Sequence, residues 1–175
     1  MNKSQLAARI KEAAYLEGDF VLRSGKRSKY YLDKYLFAAQ PDILAELGRL
    51  FAQKAQAIGD VDVIAGPELG AVALAAATSM ASGKPMAIVR KARKDYATGK
   101  LIEGAPVAGR RVMLVEDVGT TAGAALEAAK TLTEAGATVV ALVFAIDRME
   151  GARENVVAAG LAFDALLTKA DLGIN

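Results

Sequence analysis

The sequence predicts an α/β domain in which a parallel sheet is covered by helices on both faces. Three observations support this. From residue 61 onward, short apolar runs alternate with helical stretches, the pattern of successive βαβ units. Alanine fills 37 of the 175 positions, which favours helices and lets them approach a sheet closely. The length of 175 residues, set against about 150 per domain, leaves room for one domain with a modest elaboration.

Taken in order, Leu6, Ile10 and Ala13 with Ala14 recur at helical spacing, so residues 3–17 read as an amphipathic helix that ends near Gly18. Phe20 to Leu22 and Tyr30 to Phe37 are strand-like and flank the basic turn SGKRSK. Pro41 opens a second amphipathic helix marked by Ile43, Leu44, Leu47, Leu50 and Phe51. VDVIA, PMAIVR, RVMLVED and TVVALVFAI read as strands, with helices over 70–82 and 123–135. A helix around 152–159 leads to a last strand, FDALLT. Between PMAIVR and RVMLVED the segment KARKDYATGKLIEGAPVAG lacks apolar periodicity and reads as a long loop, a feature that tends to be functional. No repeat period and no interdomain linker interrupt the chain.

Composition excludes several chemistries. With 53% hydrophobic and 24% charged residues the chain can bury a core. A net charge of +2 is too small to imply nucleic-acid or membrane binding, so any attraction to anions is local. With no cysteine and no histidine there is no disulfide, no thiolate nucleophile, no Cys/His zinc site and no Ser-His-Asp triad. A catalytic metal would be held by oxygens. The first residues lack the apolar segment of a signal peptide, and the run from Ala71 to Ala81 is far short of the roughly 18 residues of a membrane span. A cytoplasmic location is expected.

Three segments carry chemistry. RVMLVEDVGTTAGAALEAA places Glu116 and Asp117 at the end of a strand, then a bend of small and hydroxyl residues, then a helix. Unpaired N–H groups at a helix start cradle phosphate, and adjacent acids at a strand's carboxyl end can accept hydrogen bonds from sugar hydroxyls. The same residues could simply cap the helix. The second segment sets Arg90, Lys91, Arg93, Lys94 and Lys100 against Asp95 alone, a cationic loop suited to a polyanion or, equally, to solvent. The third, VLRSGKRSKYYLDKYLF, puts Arg23, Lys26, Arg27 and Lys29 beside Tyr30 and Tyr31, which suits a planar anionic ring. The tyrosines equally suit an ordinary strand. Gly66 to Gly70 form a second strand-to-helix turn that could offer N–H groups to an anion.

From Gly18 to Arg148 these segments together resemble the orotate phosphoribosyltransferases, type I phosphoribosyltransferases of pyrimidine synthesis. VMLVEDVGTTAGAA is similar to their phosphoribosyl-diphosphate signature, VRKARKDYATGKLIEG to their mobile catalytic loop, and GDFVLRSGKRSKYYLDK to the amino-terminal hood that binds orotate. The resemblance implies a type I phosphoribosyltransferase fold with a central five-stranded parallel sheet, and one domain over 1–175 with a hood to about residue 40. It implies a magnesium-dependent homodimer that transfers ribose 5-phosphate from phosphoribosyl diphosphate to orotate, with loop residues shared across the interface. By resemblance, Arg90, Lys91, Lys94, Tyr96, Glu116 and Asp117, with Val118, Gly119, Thr120, Thr121, Ala122, Gly123 and Ala124, bind phosphoribosyl diphosphate. Lys94, Glu116 and Asp117 are the expected catalytic residues. Arg23, Tyr30, Tyr31, Thr120 and Arg148 are expected at orotate. No protein side chains are assigned to the metal.

Four positions depart from the family pattern: Arg23 and Leu69 stand where lysine is usual, Tyr96 where histidine is common, and Ala122 where glycine is usual. Ala122 matters most if its backbone takes a positive φ, which disfavours a Cβ. The alternatives are a purine phosphoribosyltransferase, which would not account for the hood segment, and a non-catalytic sensor of phosphoribosyl diphosphate. A sensor would usually need a DNA-binding appendage, and no helix-turn-helix is apparent.

Overall fold

The central sheet takes its register from β-strand alternation. In the computed structural model, which describes residues 1–21, 25, 27–92 and 100–174, the strand β6 (Arg111–Gly119) sends Val112 and Leu114 to one apolar cluster and Met113 and Val115 to the other. Continuing that alternation, Asp117 faces the Met113 side and Glu116 the Val112 side. One face is covered by α1 (Lys3–Ala14), α3 (Pro41–Ile58) and α4 (Gly70–Ser82), through Leu6, Ile10, Leu47, Phe51 and Leu74. The other is covered by α5 (Gly123–Glu134) and α6 (Ala152–Ala158), through Ala125, Ala128, Leu132 and Val156.

Among the described residues six strands form the sheet, in the order β5 (Ile102–Gly104), β4 (Met86–Val89), β3 (Val63–Pro67), β6, β7 (Thr138–Asp147) and β8 (Phe163–Thr168). Five are parallel, as expected; β5 runs antiparallel to β4 at the edge. That strand lies within the segment expected to be loop, and three residues are too few to leave a period in the sequence. The chain leaves β3 toward β4 on one side and resumes at β6 on the other. The carboxyl ends of β3 and β6 therefore flank a topological switch point, where open α/β sheets bind ligands.

Two expectations near the amino terminus are corrected. The first helix ends at Ala14, not residue 17: Tyr15 is extended and begins β1 (Tyr15–Val21), which pairs antiparallel with β2 (Arg27–Leu32). Its ring stacks on Tyr30 at 5.6 Å between centroids, a packing gain that competes with another helical turn. The second strand stops at Leu32, because Asp33 Oδ1 accepts hydrogen bonds from the N–H groups of Tyr35 (2.9 Å) and Leu36 (3.4 Å) and so caps a short helix, α2 (Lys34–Ala38). Residues 34–37 are thus helical, which places Lys34 in a first helical turn.

Close approach of α3 and α4 depends on small residues. A Cβ at Gly48 would come within 2.8 Å of the Ala77 backbone, so only glycine permits this crossing. α4 is thereby held where its first residue, Gly70, reaches the end of β6. Among the described residues no helix is long and apolar enough to cross a membrane.

Candidate active site

The acid pair sits at the carboxyl end of β6, and both side chains are buried. Asp117 Oδ1 accepts from the Val118 N–H at 2.6 Å, and Glu116 Oε1 accepts from the Asp117 N–H at 3.1 Å. Neither acid caps α5, whose N-cap position is Ala122 with no side-chain hydrogen bond. That removes the reading of the pair as a simple helix cap. Lys34, from the first turn of α2, brings its Nζ to 2.9 Å from Asp117 Oδ2, an oxygen with no other partner among the described residues. Burial works against the Lys34 charge, but the charge and hydrogen bonding of Asp117, with Glu116 behind it, outweigh that and hold the ammonium above its usual range. Glu116 is pushed up to about 8, first by burial and then by the negative charge of Asp117; Lys34 and Lys91 pull the other way.

Gly70 completes this corner. A Cβ there would lie 1.9 Å from Asp117 Oδ2 and 3.1 Å from Lys34 Nζ, so the start of α4 is pressed against the ion pair. The turn before it contains a cis peptide between Glu68 and Leu69. Glu68 Oε1 accepts from the Lys91 N–H at 2.6 Å, and the Arg90 N–H donates to the Leu101 carbonyl at 2.8 Å. The base of the cationic segment is therefore fastened to the 67–70 turn on one side and to the start of β5 on the other. Arg93, Lys94, Tyr96, Arg23 and Lys26 lie outside the described residues.

Beyond the acids, β6 runs into the bend before α5. Gly119 is required for close packing, since its Cβ would meet the Phe144 ring at 3.0 Å and Ala152 at 3.2 Å. Asn155 Nδ2 donates to the Thr121 carbonyl at 3.0 Å. Ala122 adopts φ 60° and ψ 15°, the left-handed conformation that the sequence flagged as a difficulty there, at a cost of about 1 kcal/mol. It turns the chain so that α5 begins with exposed Gly123 and Ala124 and, among the described residues, with no side chain capping its amide groups. Such a helix start accepts an anion.

The expected base-binding residues divide. Arg148 Nη2 donates to the Tyr30 hydroxyl at 2.9 Å and pairs with Glu150 at 2.9 Å, while its guanidinium carbon stands 5.1 Å from the Tyr30 ring centroid. Its Nε is buried and has no hydrogen-bond partner among the described residues. The Arg148 N–H donates to the Gly119 carbonyl at 2.9 Å, so this corner adjoins Thr120 and the phosphate bend. Tyr31, next along β2, turns to the opposite face and packs on Phe20 at 5.7 Å. Lys34 and Glu68 were not singled out by sequence reasoning, because their partners are distant in the chain. Gly70, which opens an apolar helix where a better helix former would be usual, did carry a signal.

Comparison with known proteins is decisive. Residues 37–157 match the phosphoribosyl transferase domain. An orotate phosphoribosyltransferase of Pyrococcus horikoshii is 45% identical over 93% of this chain and 88% of its own length. This chain belongs to the orotate phosphoribosyltransferase family. An orotate phosphoribosyltransferase from Methanopyrus kandleri is also 45% identical, over 98% of this chain and 92% of that one. A crystal structure of the Mycobacterium tuberculosis orotate phosphoribosyltransferase superimposes with a TM-score of 0.88 at 35% identity, covering 98% of this chain and 99% of that one. The fold seen here is the type I phosphoribosyltransferase fold, with an antiparallel strand added at one edge.

The buried glutamate has a consequence for stability. Between its ordinary 4.5 and about 8, the folded chain keeps a proton on Glu116 that the unfolded chain releases. Its contribution to stability is therefore fully present below that window and is lost as pH rises through it. Glu116→Gln lacks this dependence, so the stability of the variant relative to the wild type should rise steadily from pH 4.5 to 8. Urea unfolding at several pH values checks this; parallel pH profiles would contradict it.

Proposed function

We propose that this protein transfers ribose 5-phosphate from phosphoribosyl diphosphate to orotate, giving orotidine 5'-monophosphate and diphosphate, the reaction of its family in UMP synthesis. The observation that carries the reading is the joining of two half-sites at one sheet edge. The acid pair and the uncapped start of α5 form a sugar-phosphate half. Tyr30 and Arg148 form a base half, linked to the first by the hydrogen bond from the Arg148 N–H to the Gly119 carbonyl.

In this reading the amides from Thr120 to Ala124 take the 5'-phosphate, and Glu116 with Asp117 engage the ribose hydroxyls. The Arg148 guanidinium, whose Nε has no hydrogen-bond partner among the described residues, pairs with the orotate carboxylate in this reading, and the Tyr30 ring lies alongside the base. Arg90 and Lys91, at the base of the cationic segment beside the 67–70 turn, meet the diphosphate together with Lys94. Displacement at the anomeric carbon develops positive charge on the sugar and negative charge on the leaving diphosphate, so catalysis is mainly positioning and charge stabilisation. No strong side-chain base is needed, because the attacking nitrogen of orotate is readily deprotonated.

Magnesium dependence fits the donors present. Among the described residues no group of three or more His, Cys, Asp or Glu could hold a metal ion, whereas the sugar diphosphate carries its own oxygens and magnesium keeps several waters. When bound, the ion would neutralise charge on the diphosphate. We further read the enzyme as a homodimer in which loop cations serve the neighbouring site; exposed apolar side chains such as Met80 on α4 offer surface for such pairing. We place it in the cytoplasm, in keeping with a chain that has no cysteine.

Mixed with magnesium and phosphoribosyl diphosphate, the purified protein should consume orotate, read as a fall in its ultraviolet absorbance. Turnover of adenine or hypoxanthine instead would make it a purine enzyme, and binding of phosphoribosyl diphosphate with no base consumed would make it a sensor. Lys94→Ala should lower kcat about 100-fold while leaving the KM for orotate within about threefold, since that ammonium acts on the departing diphosphate. An unchanged kcat would refute the role. Gly70→Ala should raise the KM for phosphoribosyl diphosphate about tenfold by displacing Asp117, with the circular dichroism spectrum retained.

A further inference from the structure

The corner formed by Lys34, Asp117 and Gly70 contains a residue to which the reading above gives no task. Asp117 Oδ1 is fixed by the Val118 N–H, and among the described residues Oδ2 has only the Lys34 ammonium, at 2.9 Å. The Lys34 side chain is half-buried and the Asp117 side chain almost wholly so, which shields the pair from solvent. Gly70 lies directly against the pair: a Cβ there would come 1.9 Å from Asp117 Oδ2 and 3.1 Å from Lys34 Nζ, so a residue without a side chain is needed on that side. Lys34 is brought there by α2, whose start is set by Asp33 and whose chain continues directly from the strand carrying Tyr30. It is thus a cation delivered from the base-binding side of the cleft to the sugar-binding side.

Two neighbouring carboxylates in a buried site repel one another, and the one lacking a counter-charge either takes a proton or rotates toward water. We propose that Lys34 is a positioning residue for phosphoribosyl diphosphate: through its contact with Oδ2 it holds the ribose-binding Asp117 carboxylate in place at the end of β6, and it latches α2 to that strand end. This assignment rests on the sugar-binding role given above to Asp117. Lys34 acts through Asp117 and does not itself meet the reacting atoms.

The test compares Lys34→Gln, Lys34→Arg, Asp117→Asn and the Lys34→Gln/Asp117→Asn double variant, each first shown by circular dichroism and thermal melting to be folded. Lys34→Gln should raise the KM for phosphoribosyl diphosphate about tenfold, with kcat and the KM for orotate within about threefold of wild type. Lys34→Arg should recover most of that loss, because it keeps the charge. The double variant should be little worse than Asp117→Asn alone, since both changes remove one interaction. An unchanged KM for the sugar diphosphate in Lys34→Gln, equal losses for both substrates, or additive effects in the double variant would overturn the assignment. If wild-type protein turns over no orotate, it is the functional reading that fails. The Lys34 assignment then stands or falls on calorimetric binding of phosphoribosyl diphosphate, weaker in Lys34→Gln if it is right and unchanged if it is wrong.

Discussion

Two adjacent carboxylates, Glu116 and Asp117, are buried at the end of the central strand, and much of the surrounding architecture follows from keeping them there. Repulsion between them and the loss of hydration both favour a proton on one member; Glu116 takes that part, and Asp117 is matched with a cation. The division follows from the strand's alternation. Asp117 faces the side from which α2 and α4 approach, so a lysine can reach it, whereas Glu116 faces the α5 side. A pair of like residues is thereby made unlike by its setting.

Close packing around the pair requires small residues at particular points. Gly70 lets the start of α4 touch Asp117, Gly48 lets α3 approach α4, and Gly119 lets β6 end against Phe144 and Ala152. Each removes a Cβ where backbone must pass near another element, and together they bring two helix starts and one strand end to the same crevice. The connection between β3 and β6 supplies the crevice, and the small residues determine how near its walls come.

The five parallel strands were legible because buried strands leave short apolar runs that helices interrupt. The boundaries at residues 15 and 33 were less so. At the first, aromatic stacking of Tyr15 on Tyr30 decided between helix and strand; at the second, a side-chain cap from Asp33 outweighed the aromatic, strand-like composition of Tyr35 to Phe37. In the site, the acid pair and the bend before α5 could be read because they are contiguous. The meeting of Tyr30 with Arg148 was implied only by family resemblance, and the Lys34–Asp117 and Glu68–Lys91 contacts have no local mark at all. Tyr30 and Tyr31 could have been separated in advance, since neighbours on a strand face opposite ways.

The left-handed alanine at the start of α5 has an effect that extends past recognition. It leaves a helix end that no side chain among the described residues caps, next to a backbone conformation that the residue tolerates poorly. An anion settling there supplies the missing acceptors, so occupancy and folding stability are linked. In the function proposed above, substrate and product both carry a phosphate that would suit this position. Each would then protect the polypeptide against denaturation whether or not a reaction is under way, and the supply of phosphorylated sugars would help set how long each molecule survives.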